Sequence, residues 1–312
     1  MSPTTSSSTV DYAGYRAHSA TRRSPWRAAA SAAWRFVKQD LGYNTLLYPY
    51  GMWRHARLVR EAPRSQRHTY TCFLRAPLQL QALTGPVLAR VSEPADATAA
   101  RRRLRVLVFA CSNGAEAYTL ASALLQADPS LDLEMEASDL HQEMIDKATA
   151  GRYGRDEVLH SPYMTPAFAE ATFDREGDTF VVKAALRERV RFRTADLLAP
   201  DLPAQFAPAD LVLAQNVLFH LPPDAATQAL RSLHRLLRPR GALAIEGADT
   251  GLKLRLTREL GLAPLPWNVR AIYEQSRVHV SAAWWRYYYG SEPYAPWRLD
   301  KARRYGSIFL KG

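Results

Sequence analysis

Two acidic side chains follow two stretches that predict buried strands, and this arrangement favours binding of a polar ligand. Residues 106–109 are continuously apolar, as in strands that are covered on both faces of a parallel sheet. Five small residues, 110–114, come next, and Glu116 lies at the start of the following helical pattern. The pair Ser138-Asp139 lies at the end of a second predicted strand, residues 131–137. A carboxylate at this place accepts hydrogen bonds from ribose hydroxyls in nucleotide-binding folds.

The turn between the first strand and its helix indicates which nucleotide-like ligand fits. It lacks the glycine pattern G-x-G-x-x-G, which lets a pyrophosphate approach the backbone. Glu116 also adds a negative charge where a pyrophosphate would lie. Both features favour S-adenosylmethionine (SAM), which has a cationic sulfonium and no phosphate. The alternative for this stretch alone is an ordinary α/β turn that is followed by a solvated acid.

The elements that must position these groups alternate between strand and helix patterns. A helical pattern over residues 142–151 ends at Gly151, and a strand over 190–198 contains the pair Asp196-Leu197. Another apolar strand begins at residue 209 and leads to Asn216. We therefore expect an α/β fold with a doubly wound, Rossmann-like sheet that binds its ligand at the carboxyl ends of the strands.

Two segments of the chain resemble the chemotaxis-receptor methyltransferases of the CheR type. One is Thr71-x-Phe73-x-Arg75, and the other is the A-C-S-x-G-x-E-x-Y pattern of residues 110–118. The resemblance covers residues 69–250. It implies a class I methyltransferase core, SAM as the cofactor, and transfer of a methyl group to an oxygen atom.

The resemblance also implies which residues form the site. Arg75 and His220 are the catalytic candidates: Arg75 could hold an anionic acceptor or the carboxylate of the cofactor, and His220 could act as a hydrogen-bond donor or a base. Asp196 has the alternative role of a turn cap, and His220 that of a plain loop residue. The predicted cofactor-binding set is Thr71, Arg75, Cys111, Ser112, Gly114, Glu116, Asp139, Leu140, Met144, Asp196, Leu197, Asn216 and Val217.

Two departures from the family pattern lie after the strand that begins at residue 209. Gln215 occupies the position of the family's arginine, and the pair Phe219-His220 replaces an Ile-Tyr pair. In the family that tyrosine hydroxyl lies near the point of methyl transfer. These changes indicate that the acceptor differs from that of the better-known family members.

Composition restricts the class of protein. The chain has 312 residues, is 47% hydrophobic and has only two cysteines, so a disulfide framework or a zinc site is not expected. No apolar run reaches about 18 residues and the N-terminus does not resemble a secretory signal, so we expect a cytoplasmic protein without a membrane span. The net charge of +11 lies in the segments that flank a slightly acidic centre, where it could steer acidic partners.

These patterns divide the chain into four parts. Residues 1–20 are predicted to be a disordered tail, and residues 21–103 a basic helical N-terminal segment with a linker. Residues 104–251 form the predicted SAM-binding methyltransferase core, and residues 252–312 an aromatic and basic C-terminal extension. A predicted hairpin over residues 172–182 matches a small subdomain that docks a receptor tail peptide in some family members. It is short here, so such docking is not expected.

The sequence thus predicts a SAM-dependent methyltransferase that acts on an oxygen, a carboxylate, of a small molecule or an acidic peptide. The changed N-terminal segment, Gln215, His220 and the aromatic extension favour such an acceptor. One alternative is a protein-glutamate O-methyltransferase that acts on chemotaxis-like receptors. Another is a non-catalytic module that binds SAM or nucleic acid, although no RNA-binding motif is recognised and nucleic acid is an unexpected partner.

Overall fold

The computed structural model describes residues 71–93, 103–277 and 294–312, together with isolated positions between residues 26 and 60. The predicted tail over residues 1–20 lies outside these residues. Most of the linker that was expected before residue 104 also lies outside them, and so does the Trp/Tyr-rich stretch of residues 284–289. Within the described residues, no helix has the length and apolar character needed to cross a membrane.

Ten strands lie in the described residues. They are β1 (Leu104–Phe109), β2 (Leu133–Asp139), β3 (Arg152–Gly154), β4 (Phe173–Glu176), β5 (Thr179–Val182), β6 (Val190–Thr194), β7 (Ala209–Gln215), β8 (Leu237–Glu246), β9 (Ala263–Pro264) and β10 (Ile308–Leu310).

Seven of these strands form one sheet in the order β6-β2-β1-β7-β8-β10-β9. The first five in this order pair in parallel, whereas β10 is antiparallel to both β8 and β9. The strand order reverses between β1 and β7, and ligands of open α/β sheets bind at such a point. The predicted doubly wound α/β fold is therefore confirmed.

Helices lie on both faces of this sheet and beside the three remaining strands, and twelve α-helices are seen in the described residues. They are α1 (Pro77–Ala82), α2 (Leu88–Ser92), α3 (Ala115–Ala127), α4 (Gln142–Ala150), α5 (Arg155–Leu159), α6 (Pro166–Thr172), α7 (Ala184–Arg187), α8 (Leu202–Gln205), α9 (Pro223–Leu236), α10 (Thr250–Glu259), α11 (Val269–Ser276) and α12 (Lys301–Tyr305). A π-helical turn, Leu83–Val87, joins α1 to α2.

The alternation of side chains along β1 explains why both faces need a cover. Val106 and Val108 pack into one apolar cluster, and Leu107 and Phe109 pack into another on the opposite face. Successive side chains of a strand point to opposite faces, so a continuously apolar strand requires a layer on each side. This strand ends directly before the turn of small residues and fixes where that turn begins.

The part of the chain beyond residue 251, predicted as an aromatic and basic C-terminal extension, contributes strands to the main sheet. Its strands β9 and β10 complete the main sheet, and β10 lies between β8 and β9. Ile308 packs into one apolar cluster and Phe309 into the other, so β10 contributes to both faces. The predicted N-terminal part also joins the core, because Phe73 is buried in the first cluster.

The three remaining strands form a small antiparallel sheet in the order β3-β5-β4. The predicted hairpin is confirmed as β4 and β5, which are joined through Gly177 with a φ of +62°. Phe173 and Phe180 place their rings edge to face, with centroids 5.7 Å apart. This apolar contact binds the two strands of the hairpin on their inner side.

Replacement of Gly114 should destabilise the fold more than replacement of Gly177. Gly114 has a φ of +84°, and a Cβ there would lie 2.8 Å from Ala148 Cβ and 3.0 Å from the Phe192 ring. Gly177 has a φ of +62° with no atom within 4 Å of such a Cβ. Gly177→Ala should cost about 1–2 kcal/mol from the backbone alone, and Gly114→Ala about 1–3 kcal/mol more from crowding. Urea unfolding measures both, and equal losses would contradict the packing role of Gly114.

Candidate functional site

The turn between β1 and α3 has backbone angles that are unfavourable for residues other than glycine. Ala110 and Ser112 have φ values of 55° and 50°, and Gly114 has 84°. Left-handed angles cost an ordinary residue about 1–2 kcal/mol. The surroundings compensate with hydrogen bonds: Cys111 N donates to Ser138 O (3.0 Å), and Ser112 N donates to Asp139 Oδ2 (2.8 Å).

Asp139 supports the turn and also faces the space in front of it. Its Oδ1 accepts from His141 N at 3.0 Å, and its Oδ2 accepts from Ser112 N. A carboxylate has about four lone-pair sites, so both oxygens keep capacity for further donors. Asp139 is 7% exposed and this small surface lies in a cleft, where a ligand hydroxyl could reach it.

An open cleft lies along the carboxyl ends of the parallel strands at the point where the strand order reverses. The structure brings most of the predicted site residues to its walls. Those that line it are Thr71, Arg75, Ser112, Glu116, Asp139, Leu140, Asp196, Leu197, Asn216, Val217 and His220. The sequence prediction did not include Phe109, Ala110, Ser138, His141, Ala195, Gln215 and Leu221, which also line it.

Three residues of the predicted cofactor set do not line the cleft. The Cys111 side chain is buried in the apolar core, and burial raises the pKa of its thiol well above the usual range. Gly114 faces Ala148 and Phe192, so its lack of a side chain serves packing. Met144 lies behind the turn, with its Sδ 3.8 Å from Ser112 Oγ.

Glu116 is the acid with the most unusual environment in the cleft. Its pKa is raised to about 7: burial is the main cause, the positive charge of Arg75 opposes it, and the nearby Glu246 adds to it. A carboxylate desolvated in this way is easily stabilised by a cation. Near neutral pH, the ionised fraction of Glu116 therefore depends on the charge of the group that binds beside it.

The segment of Thr71 and Arg75 is fixed by contacts on both sides of Leu74. Leu74 has a φ of 47°; its N–H donates to Thr119 Oγ1 at 3.2 Å and its carbonyl accepts from Ser161 Oγ at 2.9 Å. Two hydrogen bonds thus hold a strained residue next to Arg75. The backbone next to Arg75 is therefore fixed, and the Arg75 side chain lines the cleft.

The opposite wall is built where β7 and β8 end. Asn216 has a φ of 51°, and its N–H donates to Glu246 O at 2.9 Å. Gly247 lies against it: a Cβ on Gly247 would be 2.8 Å from Asn216 Oδ1 and 2.6 Å from the Phe219 ring. The ring centroids of Phe219 and His220 are 4.0 Å apart, so Phe219 supports the imidazole at the cleft.

Two interactions assign roles that the sequence only partly predicted. Asp196 Oδ1 accepts from Leu198 N at 2.9 Å, which confirms the turn cap that was given as its alternative role. Gln215 Nε2 donates to Gln79 Oε1 at 2.9 Å, and Gln79 Nε2 donates to Ser307 Oγ at 2.9 Å. This buried chain connects β7, α1 and the segment before β10. The only sign of this chain of hydrogen bonds in the sequence is the polar Gln215 at the end of the otherwise apolar core of β7.

Comparison with known proteins agrees with this geometry. Residues 69–260 match the family described as CheR methyltransferase, SAM binding domain. The matched residues include the turn, both walls of the cleft and strands β1–β8.

Among the described residues, no group of three or more His, Cys, Asp or Glu side chains could hold a metal ion.

Named relatives have about 30–35% identity. A probable biofilm formation methyltransferase, WspC, from Pseudomonas aeruginosa is 35% identical over 152 residues, which are 48% of this chain and 35% of that protein. A chemotaxis protein methyltransferase from Listeria monocytogenes is 31% identical over 195 residues, 62% of this chain and 68% of that protein. The chain aligns with only about a third to a half of several such relatives.

The solved structures that match the chain do so at low identity and with low TM-scores. The [4+2]-cyclase SpnF is 16% identical with a TM-score of 0.37, and the match covers 84% of this chain and 93% of that chain. Magnesium protoporphyrin IX methyltransferase (ChlM) from Synechocystis PCC 6803 is 15% identical with a TM-score of 0.35, covering 74% and 87%. The family model matches more than half of the chain, and the chain therefore belongs to the CheR methyltransferase family.

Proposed function

We propose that this protein transfers the methyl group of SAM to a carboxylate oxygen of a small molecule or peptide. The observation that carries this proposal is the placement of the cationic Arg75 in the same cleft as the acids Glu116 and Asp139. The acids suit the cofactor, which has hydroxyl groups and positive charge. The guanidinium suits an anionic group, whether on the acceptor or on the cofactor.

The residues of the cleft fit SAM as a set. Asp139 retains acceptor capacity for the ribose hydroxyls, and Glu116 supplies a negative charge for the cationic part of the cofactor. Asp196 could accept a hydrogen bond from the adenine amino group, with Leu140 and Leu197 as the apolar surfaces beside it. Thr71, Asn216 and Val217 complete the walls, and the backbone of residues 110–114 provides a surface without bulky side chains.

SAM supplies an electrophilic methyl group on a positively charged sulfur. The protein therefore needs to hold the acceptor oxygen in line with that methyl group and to exclude water. A carboxylate acceptor is already nucleophilic and requires no base. Arg75 can pair with it through two parallel N–H donors, and the apolar side chains of Val217 and Leu221 limit the access of water.

His220 is proposed as a hydrogen-bond donor to the acceptor. It lines the cleft next to Asn216 and rests against Phe219. An imidazole can donate in either protonation state, and its unperturbed pKa of about 6.5 would also permit proton transfer if the acceptor were a hydroxyl group. In this role it replaces the tyrosine hydroxyl that the family pattern has at this position.

A second candidate acceptor is a glutamate side chain of a protein. Relatives from Pseudomonas aeruginosa and Listeria monocytogenes are named chemotaxis protein methyltransferases, which favours this acceptor. Against it stands the neutral Gln215–Gln79 pair, which is buried where the family pattern has an arginine. Both candidates use a carboxylate, so they differ in the molecule that presents it.

The class of acceptor can be tested with methyl-labelled SAM. The purified protein is incubated with pools of glutamate-containing peptides and of carboxylate metabolites, and the products are then treated with base. A methyl ester releases volatile labelled methanol, whereas an ether or N-methyl group does not. We expect methanol release, and at least about tenfold slower product formation for His220→Phe at nearly unchanged SAM affinity. Label that resists base would refute the carboxylate, and absence of label in every pool would favour a non-catalytic module.

Loss of the Asp139 carboxylate should weaken SAM binding. Asp139→Ala removes hydrogen bonds that involve a charged group, so the dissociation constant from calorimetry should rise about 10- to 150-fold, which corresponds to about 1.5–3 kcal/mol. Asp139→Asn keeps one acceptor oxygen, so its SAM dissociation constant should lie between those of the unmodified protein and of Asp139→Ala. Asp132→Ala is the matched control, because Asp132 is half exposed and pairs with Arg103 away from the cleft. Unchanged SAM affinity in Asp139→Ala would contradict the assignment.

The affinity for SAM should decrease as the pH falls below about 7. In the free protein the pKa of Glu116 is about 7, and a bound cation favours the ionised form and lowers that pKa. Binding then releases a proton, so the dissociation constant should rise by up to about tenfold for each pH unit below 7. Calorimetry between pH 5.5 and 8.5 measures this slope. Glu116→Gln should flatten it, and an equal slope in that variant would assign the effect to another group.

A further inference from the structure

The buried phenol of Tyr153 reaches the turn of residues 110–114 from the small sheet. Tyr153 lies on β3 and is 1% exposed, and its Oη donates to the Asn113 carbonyl at 2.5 Å. Burial raises the pKa of this phenol far above its usual value, so the hydroxyl keeps its proton and remains a donor. A residue of one sheet therefore holds the backbone of a turn that belongs to the other.

This hydrogen bond acts on the side of the turn that Asp139 does not hold. Asp139 fixes the N–H of Ser112, and Tyr153 fixes the carbonyl of the next residue, Asn113. Ala110 and Ser112 would relax from their left-handed angles if these contacts were lost, because residues in such conformations persist only where the surroundings determine them. The turn is held between a carboxylate on β2 and a phenol on β3.

The ring of Tyr153 also contacts the segment that provides Thr71 and Arg75. Phe73 lies edge to face on Tyr153, with ring centroids 4.8 Å apart, and makes a similar contact with Phe173 at 5.0 Å. Tyr153 thus touches two of the elements that form the cleft, one through its hydroxyl and one through its ring. Its ring also faces Phe173 of the small sheet, with centroids 6.5 Å apart.

We propose that Tyr153 is a positioning residue for the cofactor, which sets SAM affinity by holding the Asn113 carbonyl and therefore the turn. This proposal rests on the assignment of residues 110–114 as the cofactor turn. Its consequence is that the small sheet is a working part of the cofactor site, although none of its strands lines the cleft. A disturbance of β3 would change how tightly the protein binds SAM.

The chain contains a closely matched control for this hydrogen bond. Tyr118 is also 1% exposed, and its Oη donates to the Ala148 carbonyl at 2.8 Å. Its acceptor lies in the last turn of α4 and is not part of the cofactor turn. Tyr118→Phe and Tyr153→Phe therefore remove the same kind of bond, a buried phenol to a backbone carbonyl, and leave the rings in place.

The test compares the two variants as full-length proteins. Urea unfolding should show similar losses of stability, whereas calorimetry should show a SAM dissociation constant about fivefold to tenfold higher for Tyr153→Phe and nearly unchanged for Tyr118→Phe. Amide hydrogen exchange of residues 111–115 should accelerate only in Tyr153→Phe. Equal SAM affinities in the two variants would overturn the proposal. So would a Tyr153→Phe protein that does not fold, because the bond would then support the whole core.

Asp139→Ala separates a failure of this inference from a failure of the proposed site. If Asp139→Ala binds SAM as tightly as the unmodified protein, the assignment of the turn is wrong. If Asp139→Ala binds weakly while Tyr153→Phe and Tyr118→Phe bind equally well, the turn is the cofactor site and Tyr153 has only a structural role.

Discussion

The site depends on a turn in which two residues other than glycine adopt left-handed backbone angles. Ala110 and Ser112 follow directly after the buried strand β1, and their conformation lets the chain turn sharply into α3. Such angles persist because neighbouring groups satisfy the polar atoms of the turn, above all Asp139 on one side. The small size of these residues leaves open space above the backbone of the turn.

The cleft contains a second unfavourable feature, which is the desolvated acid Glu116. Its raised pKa means that the free protein holds a carboxyl group that is only partly ionised near neutral pH. Arg75 offsets this only in part. A cationic ligand would favour the ionised acid, in the same way that ligand contacts would favour the strained turn. The strained turn and the buried acid both lower the stability of the free protein. A ligand in the cleft would offset this cost, as is common at functional sites.

The parts of the structure that were predictable from sequence are those with a local signal. The apolar run of β1, the small residues after it and Asp139 at the end of β2 are visible in short windows of residues, because period and position are local properties. The hairpin around Gly177 was likewise predictable from its turn residues. Family resemblance added Thr71 and Arg75, which no periodicity would have selected.

The parts that could not be predicted rely on contacts between distant residues. Gln79 and Gln215 are 136 positions apart, so only the fold reveals that their amides meet. Tyr153 follows the helix end that was predicted at Gly151, but its acceptor, Asn113, lies 40 residues earlier. Strands β9 and β10 have two and three residues, which is too short for a period to appear, and their pairing depends on the presence of β8. The boundary predicted at residue 251 therefore could not take these two strands into account.

The position of β10 between β8 and β9 has a consequence for how the protein is made. Residues 308–310 leave the ribosome more than 60 positions after the strand beside which they insert, so β8 emerges with an edge that has no neighbour yet. Until then the exposed backbone of β8 is open to pairing with other chains. The nascent protein should therefore be most prone to misassembly after β8 has emerged and before residues 308–310 follow.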